Sequence, residues 1–304
     1  MRTHNQPLSN RTIVVTGAAR GLGAALARAF DGRGARLALL GLEAERLDEV
    51  AASLHNEAGC WEVDVTDDAA MVDTAQQVRA RFGRVSLVVA NAGVAEGGPF
   101  ADSDLHVWRR VIEVNLIGSA ITAHCFLPDL LDTHGYYLQV ASLAAMGTSP
   151  LMSAYCASKA GVESFAHALR AELAHRDVAV GIAYINWTDT DMIRGTDART
   201  VITELRAHMP APARKVYPAS HVAERLATAA ERRAAAVYAP GWLRAVQPVR
   251  AFLPPIVTHI ARTELARIDA TQPLKATGLL GEGGTADELY RRVRAHPNAS
   301  IRIN

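Results

Sequence analysis

The chain has 304 residues, 49% of them hydrophobic and 21% charged, the proportions of a soluble globular protein. Its 32 Lys and Arg nearly cancel its 31 Asp and Glu, so the charge balance gives no footprint for nucleic acid. Cys60, Cys125 and Cys156 are too few and too scattered for a disulfide framework or a zinc site, and no metal is expected. No run approaches about 18 uninterrupted apolar residues, and residues 1–10 lack the apolar core of a signal peptide. The expected location is the cytoplasm.

Short apolar runs alternate with longer helical patterns. Strands are expected at 12–15, 36–40, a third run ending near Asp64, 85–90, 136–141, 178–185 and 236–238. Helices are expected between them at 21–30, 43–55, 67–81, 104–131, 154–174 and from 218 to 233. The run at 85–90 is apolar at nearly every position, as a strand covered on both faces should be. This alternation predicts an α/β fold, a doubly wound parallel sheet of Rossmann type with helices on both sides. It spans residues 10–240 as one domain, and residues 241–304 form a C-terminal helical extension.

The first strand runs into Thr16-Gly17-Ala18-Ala19-Arg20-Gly21-Leu22-Gly23, and a helix follows at once. Glycines are needed where a chain turns tightly and brings backbone N–H groups against a pyrophosphate, which the helix N-terminus then favours. Two more candidates sit at strand ends on the same side. Asp64-Val65 offers a carboxylate either to an adenine amino group or to the following turn, and Asn91-Ala92-Gly93 offers small residues beside which a cofactor can lie.

Tyr155 and Lys159 are four apart at the start of a strong helix, and so share one face. A phenol has a pKa near 10, and a neighbouring ammonium favours the phenolate. Ser142, after the fifth strand, is placed to hydrogen-bond a substrate oxygen. Asn115 lies in a helix among Val114, Leu116 and Ile117 and requires a buried partner.

These residues, in this order, resemble the short-chain dehydrogenase/reductase family over about residues 10–240. The resemblance implies hydride transfer between NAD(P) and a small-molecule carbonyl or alcohol. It assigns Tyr155 as acid–base group, Lys159 to the nicotinamide ribose and the Tyr155 pKa, Ser142 to the substrate oxygen and Asn115 to a proton relay. Thr190 matches the position that binds the nicotinamide carboxamide. The Pro-Gly that often precedes it is replaced here by Ile185-Asn186-Trp187, and Trp187 is placed to wall the site. A regulator or scaffold that had lost the chemistry would be expected to lack Tyr155 or Lys159, and both are present.

The second strand ends in Gly41-Leu42-Glu43, with neither Asp at Gly41 nor Arg at Leu42 to decide between NAD and NADP. Arg20, inside the glycine turn, is placed to meet a 2′-phosphate, and Glu43 reads as a solvated first-turn residue, so the reading leans to NADP. Residues 190–218, with Met192, Ile193, Val201, Ile202, Leu205 and Met209, and the loop 143–152, with Met146, Leu151 and Met152, are expected to form two walls of a lipophilic substrate pocket.

The extension carries Trp242, Phe252, Leu253, Pro254 and Pro255, then a helical run at 256–268. It is expected to pack on the core, with a membrane-surface contact as the alternative because apolar and basic residues alternate. The helices bearing Asn115 and Tyr155 are too apolar for one buried stripe each, which predicts a homodimer or homotetramer built on them.

Overall fold

Seven short runs of apolar residues pair side by side, every pair parallel, in the order β3-β2-β1-β4-β5-β6-β7. The strands are β1 (Thr12–Thr16), β2 (Arg36–Gly41), β3 (Ala58–Glu62), β4 (Val85–Ala90), β5 (Tyr136–Val140), β6 (Ala179–Ile185) and β7 (Ala236–Ala239). They belong to a computed structural model that describes residues 8–197, 203, 206–207, 209–271 and 274–295. This is the doubly wound arrangement that the alternation predicts. β3 stops slightly short of Asp64, although the Val63 N–H still donates to Gly41 at 2.8 Å.

Successive side chains of a strand point to opposite faces, so each apolar run feeds two cores. Val14, Ala38, Leu40 and Val88 face α3 (Asp68–Phe82), α4 (Leu105–Thr133) and α5 (Ser153–Leu173). Ile13, Val15, Leu37, Leu39 and Val89 face α1 (Gly21–Asp31), α2 (Ala44–Ala52) and α6 (Ala219–Glu231). The chain winds outward in both directions from β1 and β4, so a crevice opens where these two strands end, the place where such sheets bind ligands.

Two local features of the helices matter for that crevice. α4 is long and apolar enough to cross a membrane by length and composition, yet half of its most apolar window is buried inside the protein. Its middle, Glu113–Ile117, is a π turn. Such turns widen the helix by one residue and recur at functional sites.

After β7 the extension packs back on the domain rather than leaving it. Leu243 is fully buried. The expected helix at 256–268 is α7 (Leu253–Thr271). A second helix, α8 (Gly281–Ala295), lies outside the sequence expectation. Between them the chain crosses the loop after β4: Thr277 N–H donates to Gly97 O and Leu280 N–H to Ala95 O, both at 2.8 Å. α8 is fixed by Asp287, whose buried carboxylate accepts from the buried Arg110 guanidinium at 3.0 Å.

That ion pair gives a first prediction. Asp287→Ala removes charged acceptors from Arg110, leaving Asp64 as its main partner, and is expected to cost about 1.5–3 kcal/mol. The denaturant midpoint in urea measures the loss, and a variant as stable as the parent would mean that the Arg110–Asp287 pair contributes nothing to the fold.

Candidate active site

The turn from β1 into α1 is closed as tightly as a backbone allows. Gly17 and Gly21 adopt φ of +64° and +52°, conformations that suit glycine. A Cβ on Gly23 would lie 2.0 Å from the Gly17 carbonyl oxygen, so only glycine fits. Arg20, at the N-cap of α1, makes no side-chain capping bond, and Gly21, Leu22 and Gly23 line the main cavity. The first-turn N–H groups of α1 are thus available to an anionic ligand.

The β4 end is tied to this turn. The Thr16 hydroxyl accepts from Asn91 N–H at 3.0 Å and Ala92 N–H at 3.1 Å, and the Asn91 amide donates back to Thr16 O at 3.0 Å. A Cβ on Gly93 would meet Asn115 Oδ1 at 3.1 Å, so the backbone there lies against the next functional residue.

Asn115 projects from the π turn and is almost wholly buried. Its Oδ1 accepts from Val94 N–H at 2.8 Å, while its Nδ2 donates to Val94 O and to Ser158 Oγ, both at 2.9 Å. The buried partner expected for a polar residue in that helix is therefore the loop after β4. Ser142 accepts from Ala144 N–H at 3.1 Å, capping a short helical turn, Leu143–Met146, and stands against the Tyr155 phenol. Lys159 Nζ donates to Val140 O at 3.2 Å and lies 5.7 Å from the Tyr155 ring centroid. All four predicted catalytic residues therefore come together, and Ser142, Tyr155 and Lys159 line the cavity.

The electrostatics differ from the expectation in one respect. Burial pushes the Tyr155 phenol up to about 12, the Ser142 hydroxyl draws it back, and Cys156 and Glu96 add to the rise. Burial also pulls the Lys159 ammonium down, to about 8. At neutral pH the phenol therefore keeps its proton and is not a phenolate.

The remaining predicted residues divide. Thr190 sits over the glycine turn, its Cγ2 3.1 Å from where a Gly21 Cβ would be, and with Val65 and Trp187 it lines the cavity. Asp64 also lines it, but both its oxygens are taken: Oδ1 by Thr66 N–H at 2.9 Å and Oδ2 by Arg110 at 2.7 Å. Burial alone would raise its pKa. The Thr66 bonds and the Arg110 charge outweigh it and hold the carboxyl below its usual range.

Arg20 is not free either. Glu43 accepts from Nε at 2.8 Å and again from Nη2, Asp191 lies at 3.4 Å from Nη1, and Glu282 of α8 closes on Nη1. Glu43 therefore turns inward to Arg20 and is not the solvated residue expected. Where the Pro-Gly is missing, Asn186 donates to Ala213 O at 3.0 Å and Trp187 O accepts from Tyr217 N–H at 2.9 Å, fastening the following segment.

The cavity, about 630 Å³, runs from the glycine turn past Tyr155 to α7. Its far end is mostly apolar, with Leu143, Met152, Met209, Trp242, Leu253 and Val257, and Arg206 and Glu264 also line it. Of the expected stripe, Met192, Ile193 and Met209 line it, while Val201, Ile202 and Leu205 lie outside the described residues. Of the expected loop 143–152, Leu143, Ala144, residues 147–150 and Met152 line it, whereas Met146 and Leu151 do not.

Sequence reasoning missed Arg110, Glu96, Glu282, Asp287 and the α7 wall. Glu96, buried after β4, accepts from Ala154 N–H at 2.8 Å and so caps the helix that carries Tyr155; burial holds its carboxyl above the usual range. The signal available for Arg110 was a charge beside Val111 on a helix face that must be buried.

These features fit a nicotinamide dinucleotide: a glycine cradle under an uncapped helix, and a groove leading from it to a Tyr–Lys pair. Comparison with known proteins agrees. Residues 11–200 match the family model described as short chain dehydrogenase. The chain is 33% identical over 229 residues to cis-4-hydroxycyclohexanecarboxylate dehydrogenase of Sinomonas cyclohexanicum, covering 73% of this chain and 90% of that protein. It is 36% identical over 177 residues to D-threitol dehydrogenase of Mycolicibacterium smegmatis, covering 57% and 68%. Meso-2,3-butanediol dehydrogenase of Serratia marcescens is 31% identical over 187 residues, covering 61% and 74%.

The depressed Lys159 pKa is expected to make dinucleotide binding pH-dependent. Its charge is present below about pH 8 and lost above it, so affinity for an anionic dinucleotide is expected to fall as pH rises through about 8. Fluorescence titration with NADH from pH 6 to pH 10 checks this. Lys159→Arg, charged throughout, should flatten the fall.

Proposed function

The chain belongs to the short-chain dehydrogenase/reductase family, and on that footing we propose that it interconverts a lipophilic secondary alcohol and its ketone, using NAD, with Tyr155 moving the proton. The family makes it an NAD(P)-dependent oxidoreductase of alcohols or carbonyls. The observation that carries the finer reading is the Tyr155 phenol and Lys159 ammonium facing a cavity whose outer end is apolar.

The cofactor, when bound, supplies or accepts the hydride at its nicotinamide ring. Tyr155, with its high pKa, holds a proton to give to a carbonyl oxygen, and takes one from an alcohol in the other direction. Ser142 orients that oxygen. Lys159 serves the ribose, and its charge favours the phenolate as the proton leaves. Asn115 fixes the Val94 loop and Ser158 at the base of the Tyr155 helix. Thr190 is placed at the carboxamide end.

The lean to NADP rested on an Arg20 free to meet a 2′-phosphate. Three carboxylates surround it, and a doubly charged phosphate would enter their field, which favours NAD. The names of the three relatives give alcohols of differing size and polarity. They support the reaction class and leave the substrate to the pocket, where Leu253, Val257 and Trp242 favour apolar carbon. Phe252 and Ile256 are exposed near the α7 end, where such a substrate would enter.

The chain is also proposed to be a dimer at least. Within one chain Val111, Phe126, Val162 and Ala166 are buried, but Leu116, Ile121, Leu127 and Phe165 are only half-buried and Ile117 is 47% exposed. A twofold pairing of α4 and α5 would cover them. A monomer in light scattering at micromolar concentration would overturn this.

Two assays test the chemistry. Tyr155→Phe should lower turnover by about 10²–10⁴ while NADH still binds; near-parental turnover would sink the mechanism. Across a ketone panel, kcat/KM should rise roughly fourfold for each added CH₂ that the pocket buries. Short polyols turned over best would mean the pocket has been misread.

A further inference from the structure

One wall of the cofactor crevice comes from the far end of the chain. Gly281, at φ +73°, turns the chain into α8 so closely that a Cβ there would lie 2.7 Å from Met192 Cα. Gly283, Gly284, Ala286 and Asp287 then line the same cavity as Gly17, Leu42 and Val65. The run of glycines lets the α8 backbone approach the crevice with no side chain between.

Charge at this end is arranged around two guanidinium groups. Arg110 holds Asp64 and Asp287. Arg20 holds Glu43, Asp191 and Glu282. Six carboxylates, with Glu113 at 3.8 Å from Arg110 among them, thus face these two cations, and Arg194 pairs with Asp191 at 2.6 Å. This is the end remote from Tyr155, where the helix dipole of α1 and the glycine turn place the adenosine half of a dinucleotide. One carboxylate from α8 goes to each cation.

We propose that α8 is a wall of the dinucleotide site supplied by the extension, and that Glu282 contributes to the cofactor choice by helping Glu43 hold Arg20 away from a 2′-phosphate. An Arg20 shared with three carboxylates has few donors left for a fourth anion, and any phosphate there meets the uncompensated charge of the other groups. Specificity then comes from a repulsive element as much as from attraction. Glu282 is 63% exposed, so its share is modest, and Glu43 carries the rest. The inference rests on the NAD reading above, and the test separates the two.

The experiment uses the full-length chain and its Glu282→Gln variant, titrated with NADH and with NADPH by nicotinamide fluorescence. The variant should bind NADPH about fivefold more tightly, with NADH affinity changed by less than about twofold. Limited proteolysis, mapped by mass spectrometry, should show NADH protecting residues 274–295. A parent that prefers NADPH overturns the NAD reading, while a ratio shifted by Glu282→Gln still upholds the role of Glu282. A parent that prefers NADH with the ratio unmoved in a folded variant leaves the reading standing and overturns that role. Cleavage of the segment at the same rate with and without NADH overturns the α8 wall.

Discussion

The closure of β1 on β4 is the constraint on which the other features hang. Thr16 accepts two N–H groups from the end of β4 and Asn91 returns one to β1, so the two central strands are latched where the sheet reverses its winding. The latch fixes the glycine turn beside Ala92, close enough that a Cβ on Gly17 would lie 2.9 Å from the Ala92 Cα. The loop that leaves β4 then serves as a shared anchor. Val94 receives Asn115, Ala95 and Gly97 receive the extension, and Glu96 caps the Tyr155 helix. The glycine turn, the Tyr155 helix and the C-terminal segment are referred to one short stretch of backbone, residues 91–97.

Burial of the Tyr155–Lys159 pair has an electrostatic consequence. Tyr155 and Lys159 are both driven toward their neutral forms, the phenol upward and the ammonium downward. A dry site makes charge costly until a partner arrives, and the same dryness strengthens each interaction once it does. The phenolate is therefore not a resting property of the Tyr–Lys spacing. On the proposed mechanism it forms only as the proton leaves Tyr155, with the Lys159 charge favouring it.

Much of this was legible in the sequence because its signals are local. Each central strand is apolar on both faces, the glycine turn is contiguous, and Tyr155 and Lys159 sit one turn apart. Even Asn115 was readable, since an amide among Val114, Leu116 and Ile117 has to find a partner. What stayed hidden is pairing over distance. Arg110 and Asp287 are 177 positions apart, and neither has a neighbour that announces the other. Arg20 read as a phosphate ligand because its own turn contains no acid; its partners come from the end of β2, from Asp191 and from Glu282. α8 opens on Gly281-Glu282-Gly283-Gly284, a poor helical start by propensity. Leu280, Asp287 and Glu282 dock it, so its formation is a tertiary event.

The extension follows from a problem inherent in the parallel sheet. A crevice at the strand ends is open to water, whereas hydride and proton transfer favour a dry one. Here α7 walls the apolar end through Leu253 and Val257, α8 walls the charged end through Gly283 and Gly284, and residues 277–280 between them bond to the β4 loop. Arg110 shows that this cover is integral to the domain. At 4% exposure its guanidinium would be costly with Asp64 alone, and the second carboxylate that balances it is the buried Asp287. The core helix α4 thus carries a charge that is paired in full only when the end of the chain has folded back over the site.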